Sequence, residues 1–182
     1  MTLEDVTVLV AEDHHNMRAI WRSILRAFGI GDIVEASSFD AAVDALESRH
    51  VDLAIVDLDI GLKPEGGLIR RIRSGDATTY RCIPVIGATP SPTPDLIDAF
   101  INTGGDYLLQ KPVSIAMVWR KVNLAVTARR EFIRIDGYFG PDRRRSKRDH
   151  EGKERRMRSE FEAIETPSVE SRLVQRRRAK HG

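Results

Sequence analysis

The amino-acid sequence predicts an α/β protein built on a parallel sheet covered on both faces. Short, continuous apolar runs alternate five times with stretches of helical periodicity. That is the pattern of strands buried on both faces and joined by crossover helices. Acidic and hydroxyl residues stand directly after several of these runs, where an open α/β sheet binds its ligands. Right-handed crossovers leave only a handful of topologies for such a chain.

The first strand is Val6 to Val10, stopped by Glu12-Asp13. Met17, Ile20, Trp21, Ile24, Leu25 and Phe28 then recur at helical spacing, and Gly29 ends the pattern as a C-cap does. Asp32 to Ala36 is the second strand, and Ser38 caps a helix carrying Ala42, Val43 and Leu46. Leu53 to Val56 is the third strand, closed by Asp57; Gly66-Gly67 opens a helix with Leu68, Ile69 and Ile72. Ile83 to Ala88 is the fourth strand. The proline-rich stretch from Pro90 to Pro94 leads into a helix with Leu96, Ile97, Phe100 and Ile101. Tyr107 to Leu109 is the fifth strand, and Ser114 starts a helix running through Trp119, Val122 and Val126.

A length of 182 residues, 41% of them hydrophobic, suits one domain with an appendage. The single cysteine, Cys82, has no internal disulfide partner, so a reducing cytoplasmic setting is expected. Met1 to Asp5 carries Glu4 and Asp5 in place of a basic n-region, which argues against a signal peptide. No apolar run approaches the roughly 18 residues of a membrane helix. Charge divides the chain. Residues 1–128 hold 12 Lys/Arg against 17 Asp/Glu, and residues 129–182 hold 17 against 10. An acidic head and a basic tail point to different partners.

The tail, residues 129–182, carries Phe132 to Phe139 with a turn signal at Asp136-Gly137, a segment placed to pack back on the first domain. Arg143, Arg144, Arg145, Lys147 and Arg148 follow. Met157, Phe161 and Ile164 then stand at the spacing of one weakly amphipathic helix, and Thr166-Pro167 marks a stop or a fresh helix start. The composition favours a largely solvated extension, partly helical or disordered. An electrostatic arm for nucleic acid, an acidic protein or an anionic membrane surface is the alternative, and the interspersed Glu151, Glu154, Glu160, Glu162 and Glu165 weigh against nucleic acid. The tail is too short and polar for a DNA-binding output domain with its own core.

If the first, third, fourth and fifth strands lie side by side, Glu12, Asp13, Asp57, Thr89 and Lys111 meet in one pocket. Carboxylates crowded together stay ionised only when a cation joins them. Hard oxygen ligands on a wet rim suit Mg²⁺. A carboxylate can attack phosphorus and carry an acyl phosphate, and phosphoryl transfer asks mainly for positioning and charge neutralisation. A metal ion, the Lys111 ammonium and the Thr89 hydroxyl would supply these.

The stretches Val8-Leu9-Val10-Ala11-Glu12-Asp13, Asp52-Leu53-Ala54-Ile55-Val56-Asp57, Ile83 to Thr89, and Gly104-Gly105-Asp106 leading to Lys111-Pro112 resemble the response-regulator receiver family. The resemblance covers about residues 5–128. It implies the doubly wound, flavodoxin-like strand order 2-1-3-4-5. It further implies that Asp57 takes a phosphoryl group from a sensor histidine kinase or phosphotransfer protein. Asp13 and Asp57, with the Asp59 carbonyl and Glu12 through water, would hold Mg²⁺. Thr89 and Lys111 would contact the phosphoryl group, and a downstream protein would read the change. Such a protein is a switch and not an enzyme beyond its own phosphorylation and dephosphorylation. It would act as a monomer or a phosphorylation-dependent dimer.

Three positions depart from the family pattern. The segment from Ile60 to Leu68 is longer than usual, Pro90 follows Thr89 and offers no N–H, and Leu108 stands at the usual aromatic switch position. These raise the alternative of a pseudo-receiver, and predict a short-lived or weakly coupled aspartyl phosphate. Asp59, two residues after Asp57, also keeps a phosphatase of related fold in view. His14 and His15 read as loop residues and not as metal ligands, and Trp21 and Trp119 as core or interface residues.

Overall fold

A computed structural model of the chain describes residues 3–62, 67–78, 80–128, 130–135, 137–143, 162–164, 166–169 and 171–174. Five parallel strands form the main sheet: β1 Thr7–Ala11, β2 Asp32–Ala36, β3 Leu53–Asp57, β4 Val85–Thr89 and β5 Tyr107–Gln110. Their order is β2-β1-β3-β4-β5, so β3 lies at the centre and the direction in which strands are added changes between β1 and β3. The helices are α1 His15–Ala27, α2 Phe39–Ser48, α3 Leu58–Gly61, α4 Leu68–Ser74, α5 Pro94–Asn102 and α6 Ile115–Thr127. The doubly wound, flavodoxin-like fold expected from the sequence is the fold observed.

The two-residue period of each strand sorts its side chains to opposite faces. Val8 and Val10 join Leu53, Ile55 and Ile86 under α1 and α6, packed on Trp21, Leu25, Val118 and Val122. Leu9 and Ala11 join Ala54, Val56 and Val85 beneath α2, α3, α4 and α5, packed on Leu46, Ile60, Ile69 and Phe100. The middle strands are buried along their whole length, which explains their continuous apolar runs.

Local chemistry sets the helix ends. Gly29 adopts φ 81° after α1, its N–H bonds to the Arg26 carbonyl at 2.9 Å, and the Ile30 N–H bonds to Leu25 at 3.1 Å. This pair of bonds is a Schellman closure that needs a left-handed residue. Ser38, Thr93 and Ser114 cap α2, α5 and α6 by accepting from the N–H of Ala41, Leu96 and Met117. Strand bounds shift by a residue or two from those read in the sequence, and the one-turn α3 carries no periodicity long enough to announce it.

Beyond α6 the chain adds a second, antiparallel sheet: β6 Phe132–Ile135, β7 Tyr138–Pro141 and β8 Glu162–Ile164, in the order β7-β6-β8. Ile164, expected on a helix with Met157 and Phe161, instead lies in β8 opposite Phe132. Backbone pairing to β6 satisfies this segment in a way that helical spacing of three apolar residues does not specify. Met157 and Phe161 lie outside the described residues, as does the greater part of the basic tail.

This small sheet is joined to the main domain by packing. Phe132 is 1% exposed, and the Arg73 guanidinium lies 4.9 Å from its ring centre. Arg73 is itself buried and ion-paired to Asp106 at 2.9 Å. It donates to the carbonyls of Gly104, Arg81 and Ile83 at 2.7–2.8 Å. Further along, Ser168 caps a helical turn by accepting from the Ser171 N–H. Val169 and Leu173 enter the same core cluster as Leu53 and Val126. Arg172 reaches the Asp52 carbonyl at 3.3 Å and stacks on Tyr80 at 4.0 Å. Asp52, Arg73 and Asp106 all sit near the amino ends of strands. The extension therefore docks at the end of the sheet opposite the carboxyl-terminal rim.

Phe100 fills a slot that only glycine leaves open. A Cβ on Gly105 would lie 2.1 Å from Phe100 Cζ, and one on Gly87 would lie 2.7 Å from Phe100 Cε2 and 2.7 Å from Leu58 Cδ2. Overpacking of this kind costs about 1–3 kcal/mol. Gly105→Ala should lower the unfolding free energy by about that amount in urea denaturation. An unchanged midpoint would mean the ring has room to move.

Candidate functional site

The carboxyl ends of β1, β3, β4 and β5 gather the polar residues singled out above. β1 gives way to Glu12 and Asp13, β3 ends on Asp57, β4 ends on Thr89, and Lys111 follows β5. The Lys111 N–H bonds to the Thr89 carbonyl at 2.8 Å, tying the fifth strand's exit to the fourth.

At the centre lies a cation shared by two acids. Lys111 Nζ donates to Glu12 Oε2 at 2.6 Å and to Asp57 Oδ2. The Glu12 and Asp57 side chains are 1% and 4% exposed, and that of Lys111 12%. Two carboxylates so far from water need a counter-charge. Burial pulls the Lys111 ammonium toward a lower pKa. Its hydrogen bonds to Asp57 and Glu12, and their negative charges, outweigh that and hold it above the usual lysine value.

Each acid has a second anchor. Asp57 Oδ1 accepts the Asp59 N–H at 2.7 Å, making Asp57 the N-cap of α3. Glu12 Oε2 accepts from Trp21 Nε1 at 3.4 Å, and Oε1 from the His14 N–H at 3.4 Å. Arg18 grips the loop from below by donating to the carbonyls of Glu12 and Asp13 at 2.7 and 2.8 Å. Trp21 is thus a core residue that also touches the site, and Arg18 a positioning residue; neither role could be read from helical spacing.

Asp13 stands at the open edge, with its side chain 52% exposed and its Oδ1 2.7 Å from His14 Nδ1. Slight burial pushes its carboxyl up, but the hydrogen bond and charge of His14 outweigh that and hold it below the usual aspartate value. Ligand atoms of Glu12, Asp13 and His14 lie within 4.8 Å of one another, so His14, set aside in the sequence as a loop residue, joins the acidic cluster. These oxygen donors fit a hard divalent cation. Asp59 reaches the site through its amide, while its side chain is exposed.

Thr89 is 5% exposed, and its Oγ1 accepts the Ser91 N–H at 3.3 Å. The first N–H after Thr89 therefore comes from Ser91, because Pro90 has none. Leu108 is half-buried and packs with the cluster that contains Phe100. Lys63, Pro64, Glu65 and Gly66, from the long segment after Asp57, lie outside the described residues. In the tail, Arg143 turns inward and donates to the carbonyls of Ile101 and Gly105. Arg144, Arg145, Lys147 and Arg148 lie outside the described residues.

Removing the shared cation exposes its worth. Lys111→Met leaves two buried carboxylates facing each other, a loss of about 3 kcal/mol. Urea unfolding at pH 7 should show it, and Mg²⁺ should recover part of it by replacing the lost charge. Because the folded pKa is raised, the wild-type contribution is fully present below the ordinary lysine value and lost as pH climbs past the folded one. A variant as stable as the parent would contradict the assignment.

The profile of the response regulator receiver domain matches residues 8–123. The rice two-component response regulator ORR41 is 30% identical over 131 residues, covering 69% of this chain and all of the rice protein. The sensory/regulatory protein RpfC of Xanthomonas campestris is 27% identical over 128 residues, 70% of this chain, which spans only 18% of its length. Among solved structures, the chemotaxis protein CheY4 of Vibrio cholerae aligns with a TM-score of 0.59 at 17% identity, covering 66% of this chain and 98% of that one. The receiver domain of the sensor histidine kinase PA1611 from Pseudomonas aeruginosa, with magnesium coordinated in its active site cleft, aligns at 0.57 and 20% identity over 65% and 94%. With its five strands in the order 2-1-3-4-5 and its acids and lysine at one rim, the chain belongs to the response regulator receiver family.

Proposed function

We propose that the chain is a phosphoacceptor of a two-component phosphorelay, with Asp57 as the accepting residue and a sensor histidine kinase or phosphotransfer protein as donor. One observation carries this reading: Lys111 joins Asp57 and Glu12 in a single buried network at the rim of the sheet. The Asp57 carboxylate oxygen attacks phosphorus. An acyl phosphate bond forms, the phosphorus–nitrogen bond of the donor phosphohistidine breaks, and the freed imidazole takes up a proton. Lys111 keeps its charge at neutral pH and is placed to pair with the added phosphoryl oxygens. The Thr89 hydroxyl accepts from Ser91 and retains its own proton to donate.

Glu12, Asp13 and Asp57 are the residues that would hold Mg²⁺. Bound there, the ion supplies positive charge against the crowded oxygens of the acids and the phosphoryl group. Leu108, with no polar tip to exchange between core and surface, and Pro90, with no N–H to give, weaken the link between phosphorylation and shape. The predicted result is an adduct that forms but is short-lived or only loosely coupled to a downstream protein partner.

Acetyl phosphate and Mg²⁺ test the reading. The parent should gain a base-labile, acid-stable phosphoryl group by mass, and Asp57→Asn should gain none. Partner binding in the absence of any adduct would favour a pseudo-receiver instead, and turnover of phosphate esters a phosphatase. Substituting Leu108→Tyr should strengthen the phosphorylation-dependent change in amide exchange across α5 and β5. An adduct on the parent with a half-life far beyond that of ordinary receivers would contradict the predicted weakness.

A further inference from the structure

Away from the carboxyl-terminal rim, α4, α5 and the small sheet enclose an open cleft of about 840 Å³. That size lies within the range of small-molecule sites. Arginine dominates its wall: Arg70, Arg73, Arg81 and Arg134 line it, with Tyr138 and Phe139 alongside and Glu162 as the one acid among the described residues. Nothing in the receiver chemistry at Asp57 calls for such a concentration of guanidinium groups.

The four arginines are not equivalent. Arg73 is consumed by structure, neutralised by Asp106 and bonded to three carbonyls. Arg134 pairs with Glu162 at 3.2 Å, an exposed contact of little strength. Arg81 spends its Nε on the Arg73 carbonyl; its terminal nitrogens have no carboxylate partner among the described residues. Arg70 is exposed and has no ion-pair partner among them either. Asp76 accepts from the Ser74 hydroxyl at the rim and lines a separate cleft. Among the described residues, Arg70 and the terminal nitrogens of Arg81 therefore face the cleft without a carboxylate partner.

Their placement brings them close to an aromatic surface. The Arg81 guanidinium lies 4.0 Å, and that of Arg134 5.7 Å, from the centre of the same Phe139 ring. Like charges gathered on one ring repel, and an anion between them relieves the repulsion. Guanidinium forks match phosphate oxygens two at a time, and aromatic and guanidinium planes stack on bases. Ser74, Asn102 and Thr103 add neutral polar side chains for a sugar or phosphate.

We propose that this cleft binds a nucleotide phosphate, held by Arg70, Arg81 and Arg134, with its base against Tyr138 or Phe139. The site joins the receiver to its extension, since Arg70 and Arg81 belong to the first and Arg134, Tyr138 and Phe139 to the second. The shared chemistry is a phosphate carrying an aromatic base, which a free nucleotide or a single-stranded nucleic acid can present.

Calorimetric titration of the full chain with ATP, AMP, inorganic pyrophosphate and a short single-stranded oligonucleotide tests it. Saturable binding of ATP at one site, weakened tenfold or more in Arg70→Glu and Arg134→Glu, is the expected result. Arg70→Gln serves if a charge reversal disturbs folding, as judged by circular dichroism. Tighter binding of the oligonucleotide, equally sensitive to Arg70, would assign the phosphate to nucleic acid and keep the site. Failure of every probe to bind at millimolar concentration would overturn the proposal. So would binding that survives Arg70→Glu but is lost when Arg144, Arg145 and Arg148 are replaced by serine.

Discussion

The part-buried ammonium of Lys111, shared between Glu12 and Asp57, is the constraint on which the rim depends. Two carboxylates almost wholly removed from water are tolerable only with a cation between them. Every neighbouring feature serves that arrangement. The Lys111 amide is tied to Thr89, Arg18 fixes the loop carrying Glu12, and the Asp59 amide turns the Asp57 carboxylate. Electrostatics decides the geometry here, and the strands supply the scaffold that makes the encounter possible. Acids at the ends of β1 and β3 meet a lysine from beyond β5 because β1, β3, β4 and β5 are neighbours in the sheet.

Much of this was legible in the sequence because burial on both faces leaves a simple mark. The strands read as unbroken apolar runs, the capping serines stood where two of the helices began, and the residues of the rim followed the strands in order. The strand order itself came from resemblance, since periodicity says nothing about which strand neighbours which. Long-range pairings were illegible for a related reason. Nothing in the spacing of Arg73 announces that it meets Asp106, thirty-three residues on, or that Trp21 reaches Glu12. Ile164 misled because three apolar residues at helical spacing fit a helix locally, while strand pairing with β6 is a non-local choice.

The extension changes the meaning of charge in this chain. Read as a sequence, its arginines form a basic run on a solvated tail. In the fold they divide by what they touch. Among the described residues, Arg143 and Arg172 are turned toward backbone carbonyls, and Arg134 lies beside the same aromatic ring as Arg81. For the described part of the tail, net charge therefore overstates how much is offered to a polyanion.

Arg143 carries a consequence for motion. Its guanidinium clamps the carbonyls of Ile101 and Gly105, on either side of the turn between α5 and β5. With it held by the appended segment, α5 is anchored at its carboxyl end, and a displacement of the helix would grow toward Pro94, widest beside Thr89 and narrowest where the appended sheet begins.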